Sequence, residues 1–310
     1  MAEGMGSGGM RLQRGDVVWL IAPASQLRGD DHGLLAEGVS LLQGWGLQVE
    51  LRVDPGHHFY LAGPDEVRAA HLNAALADPE AKAIFCTRGG YGSARLLQHL
   101  DLRSVPPPKL LVGHSDITSL HLAISSLWPQ VISIHGPNIA TRQLLGDSAE
   151  CGLNRRSLHT SLFSANTLLV EPLEFIRTGR TSGPLVGGCL SLVSSAMGTE
   201  FLPRFQGTIL FLEDTREPPY RIDRMLTQLR NAGVFDQVHG VIFGTMSNCS
   251  DPYNSLRSVI RDVLAAYTFP IAFGLRSGHG DVSLSIRLGA HLEMDGEAGV
   301  ISMGSETHCE

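Results

Sequence analysis

The stretch with the most chemical potential is Leu110 to His121, LLVGHSDITSLH, because it sets a hydroxyl on a corner of the chain. Leu110, Leu111 and Val112 form the short apolar run of a buried parallel strand, and Gly113 breaks it. From Asp116 onward, Ile117, Leu120, His121, Ile124 and Leu127 recur at helical spacing. Ser115 therefore falls on a strand-to-helix turn, its hydroxyl pushed out of the sheet and helix N-terminal amides just behind it, able to stabilise an oxyanion. This is the geometry of a nucleophile elbow. Ile117 stands where the second glycine of G-x-S-x-G would be, which argues against an ordinary α/β-hydrolase. Simple capping of the helix by Ser115 or Asp116 is the alternative that this segment alone leaves open.

Three other stretches carry reactive groups. In Thr87 to Leu97, TRGGYGSARLL, glycines at 89, 90 and 92 follow a strand and leave backbone amides free to approach a ligand closely. The loop has neither G-x-G-x-x-G nor a P-loop ending, so a nucleotide-phosphate cradle fits poorly. It lies instead at the carboxyl end of a strand next to the elbow, where open α/β sheets bind ligands and where the Gly89 and Gly90 amides can complete an oxyanion hole. Arg88 is a candidate partner for a substrate carboxylate, with a structural salt bridge as the alternative, and Tyr91 is a second candidate substrate contact. The apolar strand GTILFL then runs into Glu213 and Asp214. Glu213 is nearer the buried strand, although carboxylates at a strand end are often solvated charges or helix caps. Arg221, Asp223 and Arg224 beyond it are expected to form an ion-pair network. His279 is flanked by glycines on a loop, an exposed setting that suits a working histidine, in a chain that has 13 of them.

The elements that must position these groups follow from the pattern. Val17 to Ala22, Leu47 to Val53 and Ala83 to Cys86 read as strands, separated by helical stretches at Asp31 to Trp45 and Asp65 to Leu76. Strand, helix, strand, helix, strand predicts a parallel sheet with right-handed crossovers. Val131 to Ile134 is a further strand, after which His135, Gly136, Pro137 and Asn138 turn the chain. Residues from about Gly146 to Arg180 lose clear periodicity and are taken as a crossing between two domains. Past Gly183, short glycine-punctuated segments mark a second domain, with a helix from about Arg221 and an alternating stretch at Val282, Leu284, Ile286 and Leu288.

With 310 residues and 43% hydrophobic content the chain can bury a large core. Its 31 acidic against 24 basic residues, a formal charge of -7, argue against nucleic acid as a partner. Cys86, Cys151, Cys189, Cys249 and Cys309 are scattered and odd in number, which suits a reducing compartment and no zinc site, and Cys309 in the tail reads as incidental. The first ten residues, MAEGMGSGGM, are expected to be flexible. The apolar run after Arg11 and Arg14 is too short and too β-branched for an export core, and no segment has transmembrane length, so a soluble cytoplasmic protein is expected with no membrane partner. No H-E-x-x-H or comparable spacing points to a metal, and no cofactor is expected.

Taken together, KAIFCTRGGYGSARLL, LLVGHSDITSLH, HGPNIAT, GPLVGGCLSLVSSAMGTE, GTILFLEDTREPPYRIDRMLTQLRNAG and SGHGDVSLSIRLGA resemble the LD-carboxypeptidases. These serine peptidases include murein tetrapeptide carboxypeptidases and microcin C immunity peptidases, and the resemblance runs from about Val17 to Gly289. It implies Ser115 as nucleophile, His279 as general base and Glu213 as the carboxylate that orients it. The backbone amides of Asp116 and of Gly89 or Gly90 then become the oxyanion donors. It also implies an α/β fold, with an N-terminal parallel-sheet domain carrying the serine and a C-terminal domain with a β-barrel-like core and helices carrying the glutamate and histidine, usually paired as a homodimer. The expected division is a flexible tail at 1–15, the nucleophile domain at 16–148, a linker at 149–182 and the second domain at 183–310. Two positions depart from the family pattern: His114 where an aromatic residue is common, and IRLG where PLG usually follows the histidine.

The reaction implied is hydrolysis of the bond between the L-centre of meso-diaminopimelate and terminal D-alanine in murein tetrapeptides, as in cell-wall recycling. The alternatives are an amidase of the microcin C type acting on aminoacyl-nucleotides, and a non-catalytic binder of peptidoglycan fragments. For the first, an aromatic platform in the C-terminal half is not evident, since Trp19, Trp45 and Trp128 all lie in the N-terminal half; Tyr220 or Tyr253 could substitute.

Overall fold

The computed structural model describes residues 10–53, 56, 58–164 and 169–303. The expected flexible stretch at 1–9 and Cys309 lie outside the described residues. The first half alternates strand and helix: β1 (Val17–Ile21), α1 (Asp31–Gly44), β2 (Gln48–Arg52), α2 (Asp65–Ala77), β3 (Ala81–Cys86), β4 (Lys109–Gly113), α3 (Thr118–Leu127) and β5 (Val131–His135). These five strands are parallel neighbours in the order β5-β4-β3-β1-β2. β4 is buried along its whole length, and its side chains alternate between the two faces. Leu110 and Val112 enter the core under α1, whereas Leu111 enters the core shared with α2 and α3. An apolar run without polar alternation is what burial on both faces requires.

The chain continues through α4 (Arg142–Leu145), α5 (Ala149–Phe163), β6 (Leu169–Pro172), β7 (Glu174–Arg177), β8 (Arg180–Cys189) and α6 (Leu190–Ser195). It ends with β9 (Ile209–Thr215), α7 (Pro219–Asn231), β10 (Gly240–Ser247), α8 (Leu256–Val263), β11 (Ile271–Gly278), β12 (Ile286–Arg287), β13 (His291–Asp295) and β14 (Val300–Met303). The α/β class holds, with the C-terminal core built as one eight-stranded mixed sheet ordered β6-β14-β13-β8-β9-β10-β11-β7. Its centre, β8 to β11, is parallel, and antiparallel strands flank it.

Several local expectations need correction. The 149–182 segment is no bare linker: it holds the 15-residue α5, whose N-terminus is capped by Ser148 Oγ accepting from the Cys151 amide at 3.2 Å, and β6 and β7 after it. Its buried positions, 151, 154, 158, 161 and 162, do keep helical spacing, but Asn154 and Ser161 among them are polar and hide it. Residues 10–15, expected in the flexible tail, are anchored, because Leu12 is buried and its amide donates to Leu162 O at 2.8 Å. The alternating stretch after His279 shrinks to the two-residue β12. That strand pairs antiparallel with β5 and so joins the N-terminal sheet. The segment after Gly92 is a 3-10 helix, Ser93–His99.

Candidate active site

Ser115 stands two residues past β4 with φ +64°, the left-handed region that side chains with a Cβ disfavour by about 1–2 kcal/mol. One 3-10 turn, Ser115–Ile117, leads from it into α3. The surroundings hold this strained corner. A Cβ on Gly113 would lie 2.9 Å from both Asn138 Oδ1 and Ile117 Cγ2, and the His114 amide donates to Asn138 Oδ1 at 3.3 Å. Gly89 packs directly on the serine, where a Cβ would fall 2.9 Å from Ser115 Cβ. The buried Asp116 carboxylate accepts the Ser93 amide at 2.8 Å, and Ser93 Oγ donates to Asp116 O at 2.5 Å. The glycine loop and the elbow are thereby tied to each other.

His279, the residue after β11, bridges to this corner. Its Nε2 is 2.9 Å from Ser115 Oγ and its Nδ1 is 2.7 Å from Glu213 Oε2. A carboxylate only accepts, so Nδ1 carries the proton and Nε2 presents its lone pair to the serine hydroxyl. Glu213, on β9, is wholly buried, and its Oε2 also accepts the His279 amide at 3.2 Å. Gly278 makes this contact possible: its φ is +117°, and a Cβ there would lie 2.3 Å from Glu213 Oε2.

Burial alone would raise the Glu213 pKa, yet the neighbouring His135 ring and the hydrogen bond from His279 outweigh it and hold the carboxyl at about 2. Burial likewise works to lower the His279 pKa, and the bond to Glu213 with its charge overcomes it, leaving the imidazole above its ordinary 6.5. An ionised carboxylate, a correctly oriented imidazole and an exposed-side hydroxyl in one line can deprotonate the hydroxyl as it attacks a carbonyl.

The neighbouring Asp214 takes the cap role foreseen for strand-end carboxylates. It accepts the Ser191 amide at 2.9 Å and the Thr215 amide at 2.8 Å. The network expected among Arg221, Asp223 and Arg224 does not form. Arg221 reaches Glu217 at 3.5 Å, Asp223 accepts from Thr227 at 3.1 Å, and Arg224 lies over the Tyr220 ring, because positions two apart on a helix do not face each other.

A cavity of about 490 Å³ opens over the serine, lined by Ser115, His279, Gly89, Gly90, Arg88 and His114 among others. Arg88 contacts Asp31 and donates to Gln26 O at 3.2 Å. Tyr91 lies outside that lining, half-exposed and edge-on to Tyr60, and neither Tyr220 nor Tyr253 reaches it. His114 fills the aromatic position as a neutral ring: burial pushes its pKa down to about 3, and its ring centre lies 5.1 Å from that of His279. Among the described residues, no group of three or more His, Cys, Asp or Glu side chains is placed to hold a metal ion.

Sequence reasoning missed two contributors, both in HGPNIAT. His135 Nε2 lies 3.6 Å from Glu213 Oε1, the second carboxylate oxygen, and Asn138 binds the His114 backbone and ring. Their signal was a polar cluster at the end of a buried strand, where solvent cannot satisfy it. The loop after His279 is held by two amides that were also overlooked. Gln143 donates to Gly278 O at 2.9 Å and to Gly280 O. Asn154 donates to Asp281 O at 2.8 Å and accepts the Ser283 amide at 2.7 Å.

Family models give this architecture a name. The LD-carboxypeptidase N-terminal domain matches residues 18–136 and the LD-carboxypeptidase C-terminal domain matches residues 182–294. The chain belongs to the LD-carboxypeptidase family. A Synechocystis sp. protein with a provisional carboxypeptidase name is 36% identical over 298 residues, covering 94% of this chain and 95% of its own. The murein tetrapeptide carboxypeptidase of Pseudomonas aeruginosa is 33% identical over 276 residues, covering 85% and 88%. The solved microcin C7 self-immunity protein, in complex with aspartyl sulfamoyl adenosine, shares the fold with a TM-score of 0.86 at 23% identity, covering 97% of this chain and 99% of its own. In this family member, no helix among the described residues is long and apolar enough to cross a membrane.

Proposed function

We propose that this LD-carboxypeptidase family member is a serine-type enzyme that hydrolyses the bond between the L-centre of meso-diaminopimelate and terminal D-alanine in murein tetrapeptides. The observation that carries the reading is the unbroken line from Ser115 Oγ through His279 to the buried Glu213, at 2.9 and 2.7 Å. Ser115 Oγ attacks the scissile carbonyl while His279 Nε2 takes its proton, and the new oxyanion lies against the amides of Asp116 and of Gly89 or Gly90. Glu213 stabilises the imidazolium. His279 then gives its proton to the departing D-alanine amine, the C–N bond breaks, and water repeats the cycle on the acyl-enzyme.

The substrate is supported by the name of the Pseudomonas relative and by the charged cavity, which suits a multiply ionised peptide. Among the described residues the four cysteines are free and buried, which suits a reducing cytoplasm, where recycled wall fragments would be met. The test is release of free D-alanine from L-Ala-γ-D-Glu-meso-diaminopimelyl-D-Ala, followed by mass spectrometry. The wild type should release it and Ser115→Ala should not. A folded wild type that releases none would overturn the assignment.

A further inference from the structure

The wall of the Ser115 cavity includes five charged side chains: Arg28, Asp30, Asp31, Arg88 and Arg142, three guanidiniums and two carboxylates. Such a mixture is an unusual lining for a site that need only hold one carboxylate. Arg88 and Asp31 contact each other, both partly exposed, and Asp31 Oδ2 also accepts the Arg28 amide at 2.9 Å. The Arg28 guanidinium has no partner among the described residues. Arg142 pairs with Asp30 at 2.8 Å, but both are largely solvated, so that pair is weak and easily exchanged for a ligand.

The chemistry of the elbow says which part of a substrate meets this wall. The leaving nitrogen must collect its proton from His279 Nε2, so the leaving residue lies on the imidazole side. A second cavity of about 600 Å³ adjoins the first there: it shares His279, His114, Thr141 and Arg142, lacks Ser115, and extends along Gln143, Glu150, Gly280 and Asp281. That leaves for the acyl residue the cavity that Ser115, Gly89 and Gly90 line, whose lining includes the five charged side chains.

We propose that Arg28, Asp31 and Arg88 form a subsite for a zwitterionic α-amino acid head at the end of the acyl residue's side chain, with its ammonium on Asp31 and its carboxylate on Arg28. The inference rests on the carboxypeptidase reading, since the distal centre of meso-diaminopimelate is such a head. The head is neutral overall and needs one carboxylate and one guanidinium from the wall, while the second cavity, which takes the carboxylate of the leaving alanine, is lined by Glu150 and Asp281 besides Arg142. Arg142, which lines both cavities, is placed for that second carboxylate. Arg88 remains on Asp31 and fixes its orientation.

The test compares kcat/KM for the meso-diaminopimelyl tetrapeptide and the matching L-lysyl tetrapeptide, which keeps the distal ammonium and lacks the distal carboxylate. The wild type should prefer the former by about ten- to a hundredfold, the range set by one charge-assisted contact. Arg28→Ala should bring that ratio below about threefold, and Asp31→Asn should lower both substrates together by about tenfold or more. Thermal melting of both variants checks that they are folded. A wild type that cleaves both substrates equally, or an Arg28→Ala protein that keeps the ratio, overturns the subsite while the carboxypeptidase reading stands. Cleavage of neither peptide overturns that reading, and the subsite with it.

Discussion

Glu213→Gln keeps the shape of the buried side chain and removes its charge, so it isolates what the carboxylate does for His279. The carboxylate has no access to solvent and receives two bonds from one residue, from Nδ1 at 2.7 Å and from the amide at 3.2 Å. Losing a charge-assisted bond to a group that becomes cationic in the transition state costs about 2–3 kcal/mol, about two powers of ten in rate. A glutamine amide that turns its NH2 toward Nδ1 also moves the ring proton to Nε2, where it can no longer accept from Ser115. The two effects together predict a fall in kcat of about three to four powers of ten, the scale found for the equivalent change in a serine-protease triad. The pH profile carries an independent sign. The base works only when neutral, and Glu213 raises the His279 pKa above 6.5, so wild-type activity should fall on the acid side from a point above that value. Without the carboxylate, the largest remaining influence is burial, which lowers the pKa, so the residual activity of Glu213→Gln should persist to lower pH. D-alanine release measured from about pH 5 to 9 reads both effects. An acid limb at the same pH in both proteins, or a loss smaller than about tenfold, would refute the coupling.

Gly278→Ala should be nearly as damaging as loss of Ser115, His279 or Glu213, because its Cβ would meet Glu213 Oε2 at 2.3 Å in a left-handed backbone; activity should fall at least about a hundredfold and stability by about 2–4 kcal/mol, read by D-alanine release and urea unfolding. Asn154→Ala removes bonds to Gln143 O and Asp281 O and from the Ser283 amide, and should lower stability by about 3 kcal/mol while cutting kcat more than it changes KM. Acid should unfold the protein early. Burial holds His114 and His121 at about 3, below their unfolded value near 6.5, so between those values the unfolded chain binds more protons and stability falls with falling pH by about 1.4 kcal/mol per unit for each histidine. Urea midpoints at about pH 7, 6 and 5 measure this slope, and His121→Leu should flatten it.

Where the sequence could be read, physical necessity was local. Strand β4 was legible because burial on both faces leaves Leu110 to Val112 without a polar position, and the corner at Ser115 was legible because an apolar run and a helical repeat meet there with only three residues between them. Helix α5 was not, because two positions on its buried face, Asn154 and Ser161, are polar in order to bind the backbone of residues 281–285. A hydrophobic period cannot report a helix whose buried face is a hydrogen-bonding surface. His135 escaped for a related reason. Its partner Glu213 is 78 residues away in sequence, and nothing near the histidine announces a carboxylate.

The same long-range contacts explain why the site sits between the two sheets. β11 belongs to the C-terminal sheet, whereas β12, seven residues after His279, pairs with β5 in the N-terminal sheet through Ile286 and His135. The loop carrying His279 is thus strung from one sheet to the other, and each end has its own register. Its backbone is then gripped from the N-terminal side by Gln143 and Asn154, and from the C-terminal side by Ser247 Oγ, which donates to His279 O at 2.9 Å. A serine on one sheet and a glutamate on the other could meet a histidine at hydrogen-bond distance only if the loop between them were fixed to both. Gln143 also lines the second cavity, whereas Asn154 lines neither, and the distance from Nε2 to Oγ depends on both amides as directly as on the three residues in the line.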